Sequence, residues 1–272
     1  MSDWVEIHRG EEPLIVSFPH TGSDIPAEIE ARMASPWLAR KDADWHVEKL
    51  YDFAAARGAT TVRTPFSRSV IDVNRDPSGA SLYPDQATTG LCPVETFDGE
   101  QLYRDGEEPN EAEIAVRRAQ WFDPYHTAIS AEIERLRTAH SQVVLYDAHS
   151  IRSRIGRLFD GELPHLNIGS FDGTSCAPEL TATVEEPCAA SAFSHVLNGR
   201  FRGGWTTRHY GAPDSGIHAI QMELACRGYL DEPLEAKPEN WPADYDPGRA
   251  APMCALLAKI LDACLTYARS TP

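Results

Sequence analysis

Two histidines stand just after apolar runs, and a glutamate stands inside a third. His20 follows Leu14-Ile15-Val16-Ser17-Phe18-Pro19, His149 follows Val143-Val144-Leu145-Tyr146-Asp147-Ala148, and Glu223 lies within Ile217-His218-Ala219-Ile220-Gln221-Met222-Glu223-Leu224. Neutral imidazoles delivered by separate strands suit a divalent metal, because a catalytic metal site takes three protein ligands and keeps a position open for water. A carboxylate should complete the set. Asp24, Asp42 and Asp44 are the candidates, the last two in Lys41-Asp42-Ala43-Asp44-Trp45-His46. The residues alone leave that choice open, and two such histidines are also what an ordinary hydrogen-bonded core presents. Glu223, between Met222 and Leu224, is a carboxylate on an otherwise apolar strand, and burying a lone charge is costly unless it is paired.

Arginines offer a second kind of chemistry. Ser67-Arg68-Ser69-Val70-Ile71-Asp72-Val73-Asn74-Arg75-Asp76 brackets a β-rich run with arginines, and an Arg beside an Asn suits recognition of a carboxylate. The commoner role of such a cluster is surface pairing with Asp72 and Asp76. Downstream, Gly203-Gly204-Trp205-Thr206-Thr207-Arg208-His209-Tyr210-Gly211 adds Arg208 and Tyr210 in a Gly-flanked segment before the Glu223 run.

Open α/β sheets bind ligands past the carboxyl ends of their strands, so these residues can cooperate only if the runs carrying them are neighbouring strands. The runs at 14–18 and 143–146 read as buried strands, 60–63 and 70–73 are β-rich, and 217–224 partly alternates. Helical patterns cover 45–57, 111–139, 178–198 and 252–268, so strands and helices interleave throughout. That order predicts an α/β domain with a mainly parallel or mixed sheet covered by helices. Residues 77–109 are rich in Gly, Pro, Asp and Thr and too long for a routine connection, which makes them a functional loop or an insertion. Residues 229–248 are acidic and Pro-rich and are expected to wrap the surface. No repeat or linker divides residues 1–272, so a single domain is expected.

The net charge of −16 argues against a nucleic-acid partner, which needs Lys and Arg at the phosphates. A small anionic substrate remains compatible, because arginines in a low-dielectric cleft focus their field locally. No apolar run approaches the ~20 residues that span a bilayer, and the first residues lack a basic and apolar leader, so a cytoplasmic protein without membrane insertion is expected. Six cysteines are scattered without a CxxC pair, which excludes a zinc ribbon and a disulfide scaffold, and Cys254 and Cys264 fall in an apolar helical pattern. Oligomeric state is not legible.

Taken together, Ser17-Phe18-Pro19-His20-Thr21-Gly22, Asp44-Trp45-His46-Val47, Arg68 to Asp76, Thr88-Thr89-Gly90-Leu91-Cys92-Pro93, Leu145 to Ser150 and Gln221-Met222-Glu223-Leu224 resemble the N-formylglutamate amidohydrolase family. The resemblance runs along nearly the whole chain and includes the long middle loop. That family is similar in fold to the zinc carboxypeptidases and to acylases of aspartate and succinylglutamate. The resemblance therefore implies a three-layer α/β/α sandwich holding one divalent metal, with zinc the expected ion, although His and Asp ligands suit cobalt, manganese or iron as well. In the carboxypeptidases a Glu follows the first His ligand by three residues, whereas Ser23 stands there in this chain. The third ligand beside His20 and His149 must come from elsewhere. Asp44 is chosen because it belongs to a matching segment, with Asp42 and Asp24 as alternatives.

The same resemblance makes Glu223 the general base, Arg68 the oxyanion stabiliser, and Asn74 with Arg75 the grip on a substrate carboxylate. It implies hydrolysis of N-formyl-L-glutamate to formate and L-glutamate, a step of histidine degradation. Glutamate has two carboxylates, so two basic grips are expected, Arg75 and Arg208, with Tyr210 beside the second. The competing readings are a hydrolase of another N-acyl aspartate or glutamate, and a metal- or amino-acid-binding protein without activity.

Overall fold

A computed structural model describes residues 4–82 and 88–270. Seven strands form one mixed sheet: β1 Glu6–His8, β2 Leu14–Phe18, β3 Thr60–Arg63, β4 Val143–Ile151, β5 Leu166–Gly169, β6 His195–Leu197 and β7 Ile217–Ala225. Their order is β1-β3-β2-β4-β7-β5-β6. The central four, β3, β2, β4 and β7, run parallel, while β1 and β5 pair antiparallel at either side and β6 lies parallel to β5. The helices are α1 Ala27–Glu30, α2 Val47–Leu50, α3 Glu111–Arg117, α4 Asp123–Arg137, α5 Pro178–Ala189, α6 Trp205–Tyr210 and α7 Pro247–Ser270.

Side chains alternate across a strand, and the two faces of the sheet bury different partners. Leu14, Val16 and Phe18, Val144, Tyr146 and Ala148, and Ile220, Met222 and Leu224 share one core with α5 and α7. Ile15, Val143, Leu145 and Ala219 face a second core with Tyr125, Ile129, Ile133 and Leu136 of α4. Continuing the alternation along this second face puts Ser17, Asp147, His149, Gln221 and Glu223 in line with those apolar residues, toward the carboxyl ends. One face of the central sheet is thus apolar under α4 and polar beyond it, and the polar half carries the chemistry.

Several sequence expectations need correcting. Residues 70–73 are not a strand: they run as a buried coil, tied by Asp72 N to Leu91 O at 2.7 Å and by Asn74 N to the Asp72 carboxylate at 2.9 Å. A coil pinned by side-chain bonds and packed under neighbours has the same composition as a strand. The helix expected over 45–57 shrinks to α2 and a short turn at Ala55–Arg57, since His46 sits in the left-handed region at φ 65°. The helical pattern at 178–198 stops at Ala189, and 195–197 become β6. Strand β4 extends to Ile151, so Asp147 and His149 ride on the strand itself.

Helix α7 is long and apolar enough to cross a membrane by length and composition, which the interruption by Lys259 and Asp262 conceals in the sequence. Its Met253, Leu256, Leu257, Ile260, Leu261, Cys264, Leu265 and Ala268 are buried at helical spacing in the first core. Of the long middle stretch, residues 83–87 lie outside those described. The remainder includes paired positions Glu95 with Gln101 and Met33 with Tyr103.

Candidate metal centre and cavity

Proline lacks an N–H to continue a ladder, so Pro19 ends β2 and leaves His20 buried at the carboxyl edge of the sheet. The backbone N–H of Asp44 donates to His20 O at 2.9 Å, which draws the 41–46 segment against that edge. His149 comes from the neighbouring strand β4. The Asp44 carboxylate then lies between the two rings: its Oδ2 is 3.1 Å from His149 Nδ1 and 3.8 Å from His20 Nδ1. His20, Asp44 and His149 are all buried and each offers a ligand atom, these atoms lying within 4.8 Å of one another.

The far sides of both rings are held by other carboxylates. His20 Nε2 meets Asp72 Oδ1 at 2.7 Å, and His149 Nε2 meets Asp147 Oδ2 at 2.9 Å. Such pairs fix the ring orientation and leave Nδ1 as the coordinating nitrogen, which is how metal-ligating histidines are usually supported. Asp147 is itself anchored by Ser17 Oγ at 2.6 Å and Asn74 Nδ2 at 3.0 Å, and Asp72 by Arg68 at 2.6 Å.

The donor set fits a divalent ion on further grounds. Asp44 Oδ1 is buried without a hydrogen-bond partner among the described residues, which costs free energy unless a cation or water satisfies it. Burial lowers the pKa of His20, so its imidazole stays neutral, the form that ligates. Burial pushes His149 the same way, but the Asp147 and Asp44 carboxylates outweigh it and raise its pKa well above the ordinary value. The carboxylates thus favour positive charge at this point, which a proton or a metal ion can supply.

Glu223 stands directly opposite His149 in the β4–β7 register and is 7% exposed. Burial raises its carboxyl pKa to about 7, and its Oε2 accepts a bond from Gln221 Nε2 at 3.0 Å. Gly204 N donates to the other end of that amide at 2.7 Å, so the Gln221 NH2 must face Glu223.

These residues open into a cavity of about 570 Å³, part of it open to solvent, lined also by Arg68, Arg75, Thr88, Thr89, Phe97, Arg200 and Phe201. Arg68 is buried, with its guanidinium carbon 4.6 Å from the Phe97 ring centroid and Nη1 3.4 Å from His20 Nδ1. Arg75 bonds Thr89 and lies 3.6 Å from Asp72.

The structure therefore brings His20, Asp44, His149, Arg68, Asn74, Arg75 and Glu223 to one place. The alternative carboxylates lie elsewhere: Asp24 is exposed and its backbone bridges Phe66, while Asp42 accepts from Phe97 N at 2.6 Å and from Arg152 at 3.2 Å. Asn74 faces the cavity, but its amide oxygen accepts from Thr206 N at 2.7 Å while its NH2 holds Asp147. Arg208 and Tyr210 are not among the cavity's described lining residues. Arg208 donates to Gly203 O and Leu82 O, both at 2.9 Å, and Tyr210 turns into the second core to meet His126 at 3.0 Å. Both belong to α6, whose sequence gives no sign of which side faces the sheet.

Sequence reasoning missed Asp72, Asp147, Gln221 and Arg200. Asp147 and Gln221 each precede a chemical residue by two positions on a strand, a spacing that shares a face and could have identified them. Asp72 is fully buried beneath His20, whereas its place between two arginines suggested a surface pair. Arg200 has no such signal.

The sequence profile of the N-formylglutamate amidohydrolase family matches residues 12–230. The chain is 42% identical over 270 residues to the N-formylglutamate deformylase of Pseudomonas aeruginosa, covering 99% of this chain and 98% of that protein. It is 41% identical over 268 residues to the N-formylglutamate deformylase of Pseudomonas putida, covering 98% and 97% respectively. The fold is similar to that of N-formylglutamate amidohydrolase from Ralstonia eutropha JMP134, with a TM-score of 0.79 and 22% identity over 97% of this chain and 98% of that one. A gene product of Agrobacterium tumefaciens gives a TM-score of 0.70 at 17% identity over 97% of this chain and 95% of that one.

Proposed function

The chain belongs to the N-formylglutamate amidohydrolase family, and from that premise we propose that it hydrolyses N-formyl-L-glutamate to formate and L-glutamate. The observation that carries this reading is the buried His20, Asp44 and His149 group beside an arginine-bearing cavity lined by His20, His149 and the buried carboxylate of Glu223. We assign one divalent ion, zinc in the first instance, to those three ligands; when bound it supplies Lewis acidity, polarising a carbonyl and lowering a water's pKa from ~16 towards ~7.

The rest is done by this chain's own residues. Glu223 accepts a proton from the attacking water as its oxygen bonds to the formyl carbon. Arg68, held in place by Asp72, donates to the oxyanion that develops. Glu223 then returns the proton to the amine nitrogen as the C–N bond breaks. Arg75 grips the substrate's α-carboxylate, and Asn74 supports Asp147 from the cavity floor.

This reading takes residues 1–272 as one catalytic domain of three-layer, carboxypeptidase-like build, acting on a small anionic amino acid in the cytoplasm as part of histidine degradation. It is tested by incubating the purified protein with N-formyl-L-glutamate and measuring formate and glutamate together, alongside the acetyl and succinyl analogues. Stoichiometric release from the formyl compound, loss on chelation and recovery with zinc are expected. Faster turnover of acetyl- or succinyl-glutamate would transfer the activity to another N-acyl substrate. Ligand binding without formate release would leave only a binding protein. His20→Ala and His149→Ala should each lose metal by elemental analysis as well as activity, and Asp44→Ala should lose far more metal than Asp42→Ala.

A further inference from the structure

The cavity draws its arginines from two parts of the chain. Its described lining includes Arg68, Arg75 and Arg200. Arg68 and Arg75 follow β3 and both approach Asp72, at 2.6 and 3.6 Å, which places them beside His20 and the metal group. Arg200 comes from a different part of the chain. It lies in the segment after β6, and β6 and β3 lie on opposite sides of the β4–β7 pair in the sheet.

That segment is built to a fixed course. Asn198 enters it at φ 50°, and Arg202 O accepts from Phe171 N at 2.6 Å. Gly169 of β5 lets the backbone of Arg202 and Gly203 pass so close that an added Cβ would come within 2.7 Å of it. Arg208 donates to Gly203 O at 2.9 Å and so braces the same turn. Within it Arg200 donates Nε–H to Leu158 O at 2.9 Å, and its guanidinium carbon lies 5.2 Å from the Phe201 ring centroid. The cavity wall around it is apolar, with Ile151, Leu158 and Phe201.

We propose that Arg200 is the specificity-determining residue that binds the side-chain carboxylate of the substrate, leaving Arg75 for the α-carboxylate. The inference rests on the formylglutamate reading above. The α-carboxylate is attached one carbon from the scissile nitrogen, so it binds close to the metal group and Glu223, where Arg75 stands. The side-chain carboxylate lies two methylenes farther out. Apolar side chains suit those methylenes, and a planar guanidinium suits the carboxylate at their end, gripping both oxygens. The cavity thereby selects an acidic side chain of glutamate length over a neutral one.

The test compares N-formyl-L-glutamate with N-formyl-L-norvaline, which replaces the side-chain carboxylate by a methyl group and keeps the α-carboxylate. Arg200→Leu should lower kcat/KM for formylglutamate by ~100-fold, chiefly through KM, while formylnorvaline changes by less than about threefold. Arg200→Lys should recover part of the loss, because the charge remains without the fork. Arg75→Leu should lower both substrates alike. Retained turnover of formylnorvaline shows that the Arg200 variants are folded, and metal content by elemental analysis shows the same for Arg75→Leu. Equal losses on the two substrates in Arg200→Leu, or no loss on formylglutamate, would overturn the assignment while leaving the activity standing. Absence of formate release by the unaltered protein would overturn the activity, and this inference with it.

Discussion

His149 and Glu223 stand on adjacent strands at the floor of the cavity, and His20 directly follows a third, whereas Arg75, Arg200 and Phe97 stand on segments without regular structure in its walls. The two regions are held by different means. On the floor, strand register sets His149 opposite Glu223 and Asp147 opposite Gln221, and buried carboxylates lock each imidazole from behind. In the walls, position depends on a few bonds between turns, such as Arg75 to Thr89 and Arg200 to Leu158. A floor so constrained suits bond-making chemistry, which tolerates little displacement. A wall of separate segments can change its substrate without disturbing that chemistry.

The largest effect that separates the two regions should come from Glu223→Gln. The amide keeps the shape and removes the base, so kcat should fall by ~100-fold or more while metal content and substrate binding persist. Steady-state kinetics with elemental analysis on the same sample check this. Near-normal turnover would remove Glu223 from the reaction and with it the functional distinction between floor and wall.

Next in size is the support beneath the floor. Asp147→Asn keeps the volume but replaces the carboxylate that accepts from His149, Ser17 and Asn74. Metal affinity should drop by ~10- to 100-fold, the usual cost of losing such an outer partner, with KM for substrate little changed. Competition against a chromophoric chelator measures it. If KM moved and metal affinity did not, Asp147 would belong functionally to the wall.

The same contrast explains what was legible in the sequence. An apolar run ending in His, or interrupted by Glu, marks a strand that carries chemistry because buried polar residues on strands are rare without cause. On that ground His20, His149 and Glu223 stand out as candidates, the structure brings them to one place, and the roles proposed for them come from the resemblance. Choosing Asp44 over Asp42 and Asp24 took a resemblance, since all three lie in non-strand segments whose course follows from tertiary bonds such as Asp44 N to His20 O. Segment 70–73 read as a strand because Val70, Ile71 and Val73 are as buried as strand residues, and burial is what composition reports. Arg208 stands out in the sequence for its glycine-flanked setting, yet those glycines serve close packing, with Gly204 against the Asn74 side chain. Nothing local distinguishes an arginine that lines a wall from one that braces it.

That distinction is testable. Arg208→Ala removes the bonds to Gly203 O and Leu82 O and the contact with the Phe171 ring, whose centroid lies 4.4 Å from the guanidinium carbon. As a brace rather than a grip, it should raise KM for formylglutamate by only ~3- to 10-fold, and hydrogen exchange over 198–204 should quicken. A loss as large as that of Arg200→Leu, without faster exchange, would show Arg208 itself contacting substrate.

The smallest expected effect is a pH dependence that touches the wall. His126 of α4 is buried, with Nε2 donating to Val73 O at 2.7 Å and Nδ1 3.0 Å from the Tyr210 hydroxyl, which donates to His126 O at 3.0 Å, so it ties the 70–75 segment to α4 and α6. Burial depresses its pKa to about 4 in the folded protein, against ~6.5 for an exposed histidine. Between those two values the unfolded chain binds the extra proton and the folded one does not. Stability is therefore fully present above pH ~6.5 and falls as the pH drops towards 4, by roughly 1 kcal/mol at pH 5.5 from this residue alone. In urea unfolding at pH 7.5 and 5.5, His126→Gln, which has no proton to gain, should change in stability less unfavourably on acidification than the unaltered protein, by that decrement. The first amides to lose protection at pH 5.5 should be those of 70–75, while β4 and β7 stay protected. Equal loss across wall and strands would mean that the two regions open together, and the division drawn between them would then describe their chemistry but not their stability.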